Sequence, residues 1–149
     1  DGSPVAGLIP LDTLLAETPA HMLLLACQGP ARCQRPFRAL SCRQFPFFPY
    51  LTSWGQFIGL GYEWEFEAVC WVIHNLGRVT AAFRAEFVAT YDALLDASPE
   101  DFKAYYLKSE EMREAFAARR RCIPLLHRNG NAYRVSPVNE RMFKIKEQP

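Results

Sequence analysis

Long hydrophobic runs are missing from this chain of 149 residues. The longest unbroken apolar stretches, Met22 to Cys27 and Ala68 to Ile73, have six residues each, against about 20 for a membrane-spanning helix, so no membrane insertion is expected. A surplus of charge of one sign is missing too. The balance of 17 Lys+Arg against 16 Asp+Glu excludes a disordered acidic or basic tail and disfavours nucleic acid as a partner, because neutralising phosphates needs a basic excess. No Cys-x-x-Cys pair occurs among Cys27, Cys33, Cys42, Cys70 and Cys122. A chain of this size needs no staples, so reduced thiols in a cytoplasmic setting are expected, with one disulfide among the first three cysteines as the alternative. Gly-x-Ser-x-Gly, a phosphate loop and a dinucleotide fingerprint are absent, since Gly59-Leu60-Gly61 lacks a third glycine at the right spacing. No cofactor is implied. The chain opens at Asp1 without a basic and then apolar leader, as at a trimmed or mature terminus.

What is present, 50% apolar residues of which many are aromatic, suffices for one soluble globular domain over residues 1–149. The expected fold class is mainly α: a helical bundle with a buried central helix and a small C-terminal antiparallel β element. Leu11, Leu14 and Leu15 keep helical spacing, and Thr18-Pro19 offers a cap and first position for a helix over 19–27, with a strand over 22–27 as the competing reading. Residues 28–62 read as an irregular segment, broken by Pro30, Pro36, Pro46, Pro49, Gly29, Gly55, Gly59 and Gly61. It carries all four basic groups of the first 62 residues and a dense set of rings.

Residues 63–121 read as the helical core. On a 100° wheel Trp64, Ala68, Trp71, Val72 and Leu76 share one side, widened by Val69, Ile73 and Phe66, so the helix starting near Glu63 is placed at the centre, with a break near Gly77. Burial of Trp71 there would make Trp71→Ala cost about 3 to 5 kcal/mol. Val79, Phe83, Phe87, Tyr91 and Leu94 set a second stripe. Ser98-Pro99-Glu100-Asp101 combines an N-cap, a first-position proline and an acidic residue, and starts a third helix that places Arg119, Arg120 and Arg121 in its last turn. Residues 123–146 form the β region, with Asn129-Gly130 as the turn of a hairpin and Met142 to Lys146 alternating as a further strand.

One constellation stands out. Glu63, Glu67, Cys70, His74 and Arg78 are spaced so as to align along one α-helical face. Cys70 and His74 could share a zinc ion, with Glu67 or Glu63 as a carboxylate ligand or Cys122 and His127 completing the set, or a Cys70 thiolate could pair with His74 for nucleophilic chemistry. The bland reading is a solvated strip. His21 reads as a polar residue after a cap, and Glu86 as an exposed helix residue.

Asn75-Leu76-Gly77-Arg78-Val79 followed by Phe83 resembles the Asn-Trp-Gly-Arg segment of the Bcl-2 family, and Asn129-Gly130 falls about where that family has a second Asn-Gly pair. Leu76 stands in place of the Trp, the likeness covers fewer than ten residues, and the family's Leu-x-x-x-Gly-Asp segment is missing. The resemblance implies a helical bundle with a groove for a partner helix.

The functional expectation is a non-catalytic interaction module of the adaptor, inhibitor or immunity kind that binds another protein. Aromatic and arginine side chains are the types enriched where partners dock, and Arg35, Arg38, Phe47, Phe48, Tyr50 and Trp54 are the candidates. The alternative is a metal- or thiol-dependent enzyme using Glu67, Cys70 and His74.

Overall fold

The computed structural model describes residues 10–22 and 29–145. The chain divides into two compact units, Asp1–Arg38 and Ala39–Pro149. In the first, helix α1 spans Leu11–Glu17 and ends where Thr18 donates its hydroxyl to the Leu14 carbonyl, 2.6 Å. Two single 3-10 turns follow at Pro30–Arg32 and Arg35–Phe37. The helix or strand expected within 19–27 falls largely on residues 23–28, outside the described residues.

The second unit overturns the expected helical bundle. It holds one five-stranded antiparallel sheet in the order β1-β2-β3-β4-β5, with β1 at Phe47–Leu51, β2 at Phe57–Tyr62, β3 at Ile123–His127, β4 at Ala132–Val135 and β5 at Met142–Lys144. Helix α2 (Leu40–Gln44) precedes the sheet, and α3 (Ala81–Ala97) and α4 (Pro99–Ala118) lie between β2 and β3. The fold is mixed α and β, so the bundle implied by the Bcl-2 resemblance is not found.

The segment expected to be irregular contains the hairpin β1–β2 because its proline and glycines sit where a sheet accepts them. Pro49 lies on β1, an edge strand, where a missing N–H need not break a ladder. Gly61 lies opposite Phe48, and a Cβ there would stand 2.9 Å from the Phe48 ring. At Gly59 it would run into the Leu126 carbonyl oxygen, so these glycines mark close approach. Both faces of the hairpin are covered. Phe47 and Phe57 meet Phe83, Phe87 and Tyr91 of α3, while Phe48 and Tyr50 lie under Lys108 and Arg113 of α4. Burial on two sides is why β1 reads as a continuous apolar run with no alternation.

The buried central helix is also corrected. Residues 64–78 form two 3-10 segments, Trp64–Phe66 and Trp71–Arg78, separated by extended backbone at Cys70 and interrupted by a non-helical Asn75 (φ −130°, ψ 48°). Side chains at i and i+3 eclipse in a 3-10 helix, which sends Ile73 and Leu76 inward. Trp71, 65% exposed, stays outside. Helices α3 and α4 start at sequence-readable caps: Thr80 accepts from the Phe83 N–H and Ser98 from the Asp101 N–H, each at 3.2 Å. Helix α4 ends at Ala118, so Arg119 is its C-cap and Arg120, with φ 52°, already turns left-handed. The three arginines lie past the last turn in which they were expected.

The β1 edge is closed by α4. Ser109 accepts from the Leu51 N–H at 2.9 Å, and Arg113 donates to the Leu51 carbonyl at 2.7 Å. Arg113 also lies 3.5 Å from Glu140, both side chains being almost fully buried. Glu140 further accepts from the Ser53 N–H and hydroxyl and from the Tyr50 phenol. Burial pushes the Tyr50 phenol up to about 12, so it remains a donor.

Candidate functional site

An open cleft of roughly 990 Å3 lies on the second unit, where the 3-10 segment at Ile73–Gly77 meets the β3–β5 half of the sheet. Strand register explains its floor. Leu126 pairs with Ala132, and Pro124 pairs with Arg134, which in turn pairs with Phe143. These positions are two apart along β3 and β4 and so point to one face. Ile73 and Leu76 add an apolar wall, and Lys144 and Ile145 continue the rim beyond Phe143.

Among the described residues the charged groups lining the cleft are unequal in sign: Arg121, Arg134 and Lys144 stand against one carboxylate, Glu67. Glu67 is already engaged. It receives two hydrogen bonds from the Arg121 guanidinium, 2.8 and 3.1 Å, and one from the Tyr62 phenol at 3.4 Å, with Arg119 at 3.8 Å. The Arg121 hydrogen bonds hold its carboxyl below the usual range against the opposing effect of burial, and they raise Arg121 in turn. Burial, followed by the nearby Glu67 charge, raises the Tyr62 phenol. Arg134 and Lys144 have no ion-pair partner among the described residues. The cleft therefore offers an apolar floor beside cations that have not been neutralised, an arrangement suited to a ligand with both apolar and anionic groups.

The aligned polar strip is not built, because its spacing presupposed an α-helix. Glu67 caps one 3-10 turn and Cys70 lies in extended backbone before the next. His74 donates from Nε2 to the Glu67 backbone carbonyl, so that ring nitrogen is committed to a local turn. Glu63 pairs with Lys108 at 2.6 Å. Cys122 is exposed just before β3. His127, at the end of β3, accepts at Nδ1 from the Asn129 N–H, and burial lowers its pKa. Among the described residues no three His, Cys, Asp or Glu side chains are gathered to hold a metal ion.

No family model, curated protein or solved structure matches the chain.

The residues expected to bind a partner are scattered. Phe47, Phe48 and Tyr50 are buried in β1, and Tyr50 is closed in by Arg113 and Glu140. Trp54, in the β1–β2 turn, is exposed and donates Nε1–H to Gln56 at 3.3 Å. Arg35 and Arg38 belong to the first unit, where Arg38 Nε lies 3.1 Å from Cys33 Sγ. His21 is exposed, and Glu86, also exposed, borders a small cavity of about 190 Å3 between α2 and α3. Sequence reasoning missed Arg134, Lys144 and Phe143. Their available signal was the alternation of apolar and basic residues across the strands after Asn129-Gly130.

Proposed function

We propose that this chain is a non-catalytic interaction module that binds an acidic, partly apolar segment of another protein in the cleft of the second unit, in the manner of an adaptor or inhibitor. The observation that carries the reading is the pairing of an apolar floor, Leu126, Ala132 and Phe143, with Arg134 on the same face and Lys144 at the rim, beside one carboxylate among the described residues, Glu67, which is already neutralised. Charged rims steer partners and select their sign more than they add raw affinity. A cytoplasmic place of action accords with the free thiols of Cys33, Cys42, Cys70 and Cys122.

The test is selection from a random-peptide display library on the purified chain and on the folded Arg134→Glu/Lys144→Glu variant. The expected outcome is recovery of sequences combining Asp or Glu with apolar residues, lost on the variant and weakened by salt. Selection of neutral or basic peptides, or equal recovery on both proteins, would overturn the reading.

A further inference from the structure

The far edge of the sheet bounds the same cleft, and its backbone is arranged to take another strand. Strand β5 is bonded to β4 through alternate residues: the Ser136 N–H donates to the Arg141 carbonyl, and the Ile145 N–H to the Ala132 carbonyl, both at 2.9 Å. In an antiparallel ladder the bonded positions recur every second residue. The intervening residues Met142 and Lys144 thus turn their N–H and C=O groups away from β4, toward the side on which the sheet ends. Those groups have no partner among the described residues. The side chains of Met142 and Phe143 are exposed, at 44% and 57%, and no described side chain bonds to this edge as Ser109 and Arg113 of α4 bond to β1. Natural edges are usually blunted because a bare one invites pairing.

We propose that an extended acidic segment of a partner protein adds to β5 as a sixth strand, its apolar side chains entering the cleft beside Phe143 and its carboxylates lying against Lys144 on the opposite face. This rests on the cleft being a site for an acidic segment, and it adds the mode of binding: backbone hydrogen bonds to Met142 and Lys144 supply affinity, and side chains alternating between the two faces supply selectivity. Charge selects the occupant. A second copy of this chain pairing antiparallel about Phe143 would set Lys144 of each copy diagonal to that of the other on one face, and like charges on adjacent strands oppose pairing. An acidic strand places opposite charges there.

The probe is a capped, fluorescently labelled synthetic peptide alternating Glu with Val, titrated by anisotropy. Two N-methylated versions are compared on the unmodified chain, one methylated at every odd amide and one at every even amide. Strand addition exposes only one set of amides to β5, so one version is expected to lose binding while the other keeps it, with about a tenfold loss for each ladder bond removed. On the protein, Met142→Pro removes an outward N–H and no bond to β4. It is expected to weaken the unmethylated peptide about tenfold, whereas Met142→Ala, which retains the N–H, changes it less than twofold. Equal binding of the two methylated peptides, together with loss of binding on the Arg134→Glu/Lys144→Glu variant, overturns strand addition and leaves the acidic-segment reading standing. Indifference to that variant, or no binding of the parent peptide, overturns both. Concentration-dependent dimerisation of the chain that the peptide reverses assigns the edge to a second copy and overturns the proposal.

Discussion

At the β1 edge the backbone of Leu51 is bonded in both directions to Ser109 and Arg113 of α4, whereas at the β5 edge the backbone of Met142 and Lys144 faces outward with no partner among the described residues. Both strands end the same sheet, and their chemistry differs accordingly. Every residue of β1 is buried and every residue of β5 is exposed. A buried edge needs its polar groups satisfied from outside the ladder, and a hydroxyl and a guanidinium placed one turn apart on α4 do that. An exposed edge has water for its polar groups and leaves them free to exchange it for another strand. The difference teaches that the closed edge contributes to stability, and that the open one contributes little to it.

The largest expected effect is at the closed edge. Arg113→Met leaves Glu140 buried without its cation and the Leu51 carbonyl without its donor, at a cost of about 3 to 5 kcal/mol, read from urea denaturation. A loss below about 1 kcal/mol would mean that α4 does not seal β1. Gly59→Ala forces a methyl group against the Leu126 carbonyl, where backbone must move, and is expected to cost about 1 to 3 kcal/mol; an unchanged thermal midpoint would show β2 and β3 to be farther apart. Ser109→Ala, which strands the buried Leu51 N–H, is expected to cost about 1 to 3 kcal/mol and less than Arg113→Met, because no charge is orphaned.

A pH series probes the cleft wall between the two edges. The Glu67 carboxyl is held below its ordinary value of 4.5 in the folded chain, chiefly by hydrogen bonds from Arg121. The folded form therefore holds its proton less tightly than the unfolded form. The resulting stabilisation is present above the unfolded value and is lost as pH falls through the folded one. Glu67→Gln is expected to be less stable than the original chain near neutrality and to converge with it on acidification, in denaturation curves collected from pH 7 downward. A gap independent of pH would show that the carboxylate charge contributes nothing there. The smallest effect belongs to the open edge: Met142→Ala should alter stability by no more than about 0.5 kcal/mol, and a larger loss would mean that β5 is covered after all.

The parts of the fold legible in the sequence are those decided within a few residues. Ser98-Pro99 starts α4 because a hydroxyl acceptor and a proline at the first helical position act locally, and Asn129-Gly130 turns β3 into β4, with Gly130 at φ 94°, because glycine tolerates a left-handed backbone. The hairpin β1–β2 was illegible because Gly59 and Gly61, which argue against a strand in isolation, are required by Leu126 and Phe48, and only one of those two lies within the hairpin. Residues 64–78 misled for another reason: apolar content fixes that a segment packs, and a short stretch fits both a 3.6-residue and a 3-residue period. That choice decides whether Trp71 faces in or out. It also decides whether Glu67, Cys70 and His74 share a face, so the polar strip on which the enzyme alternative stood depended on it.

By itself the sequence determined the punctuation of this protein: its helix starts, its tight turn, its balanced charge and the lack of any apolar run able to cross a membrane as a helix. Tertiary structure alone decided which backbone groups are satisfied and which cations stay unneutralised. Leu51 has its partners because α4 crosses β1, and Arg121 meets Glu67 because the end of that helix returns beside the 3-10 turn. Arg134 and Lys144 have no ion-pair partner among the described residues because the strands carrying them reach the open side of the sheet. A hydrogen bond or an ion pair between residues far apart in the chain depends on three-dimensional distance, for which composition, period and spacing carry no signal.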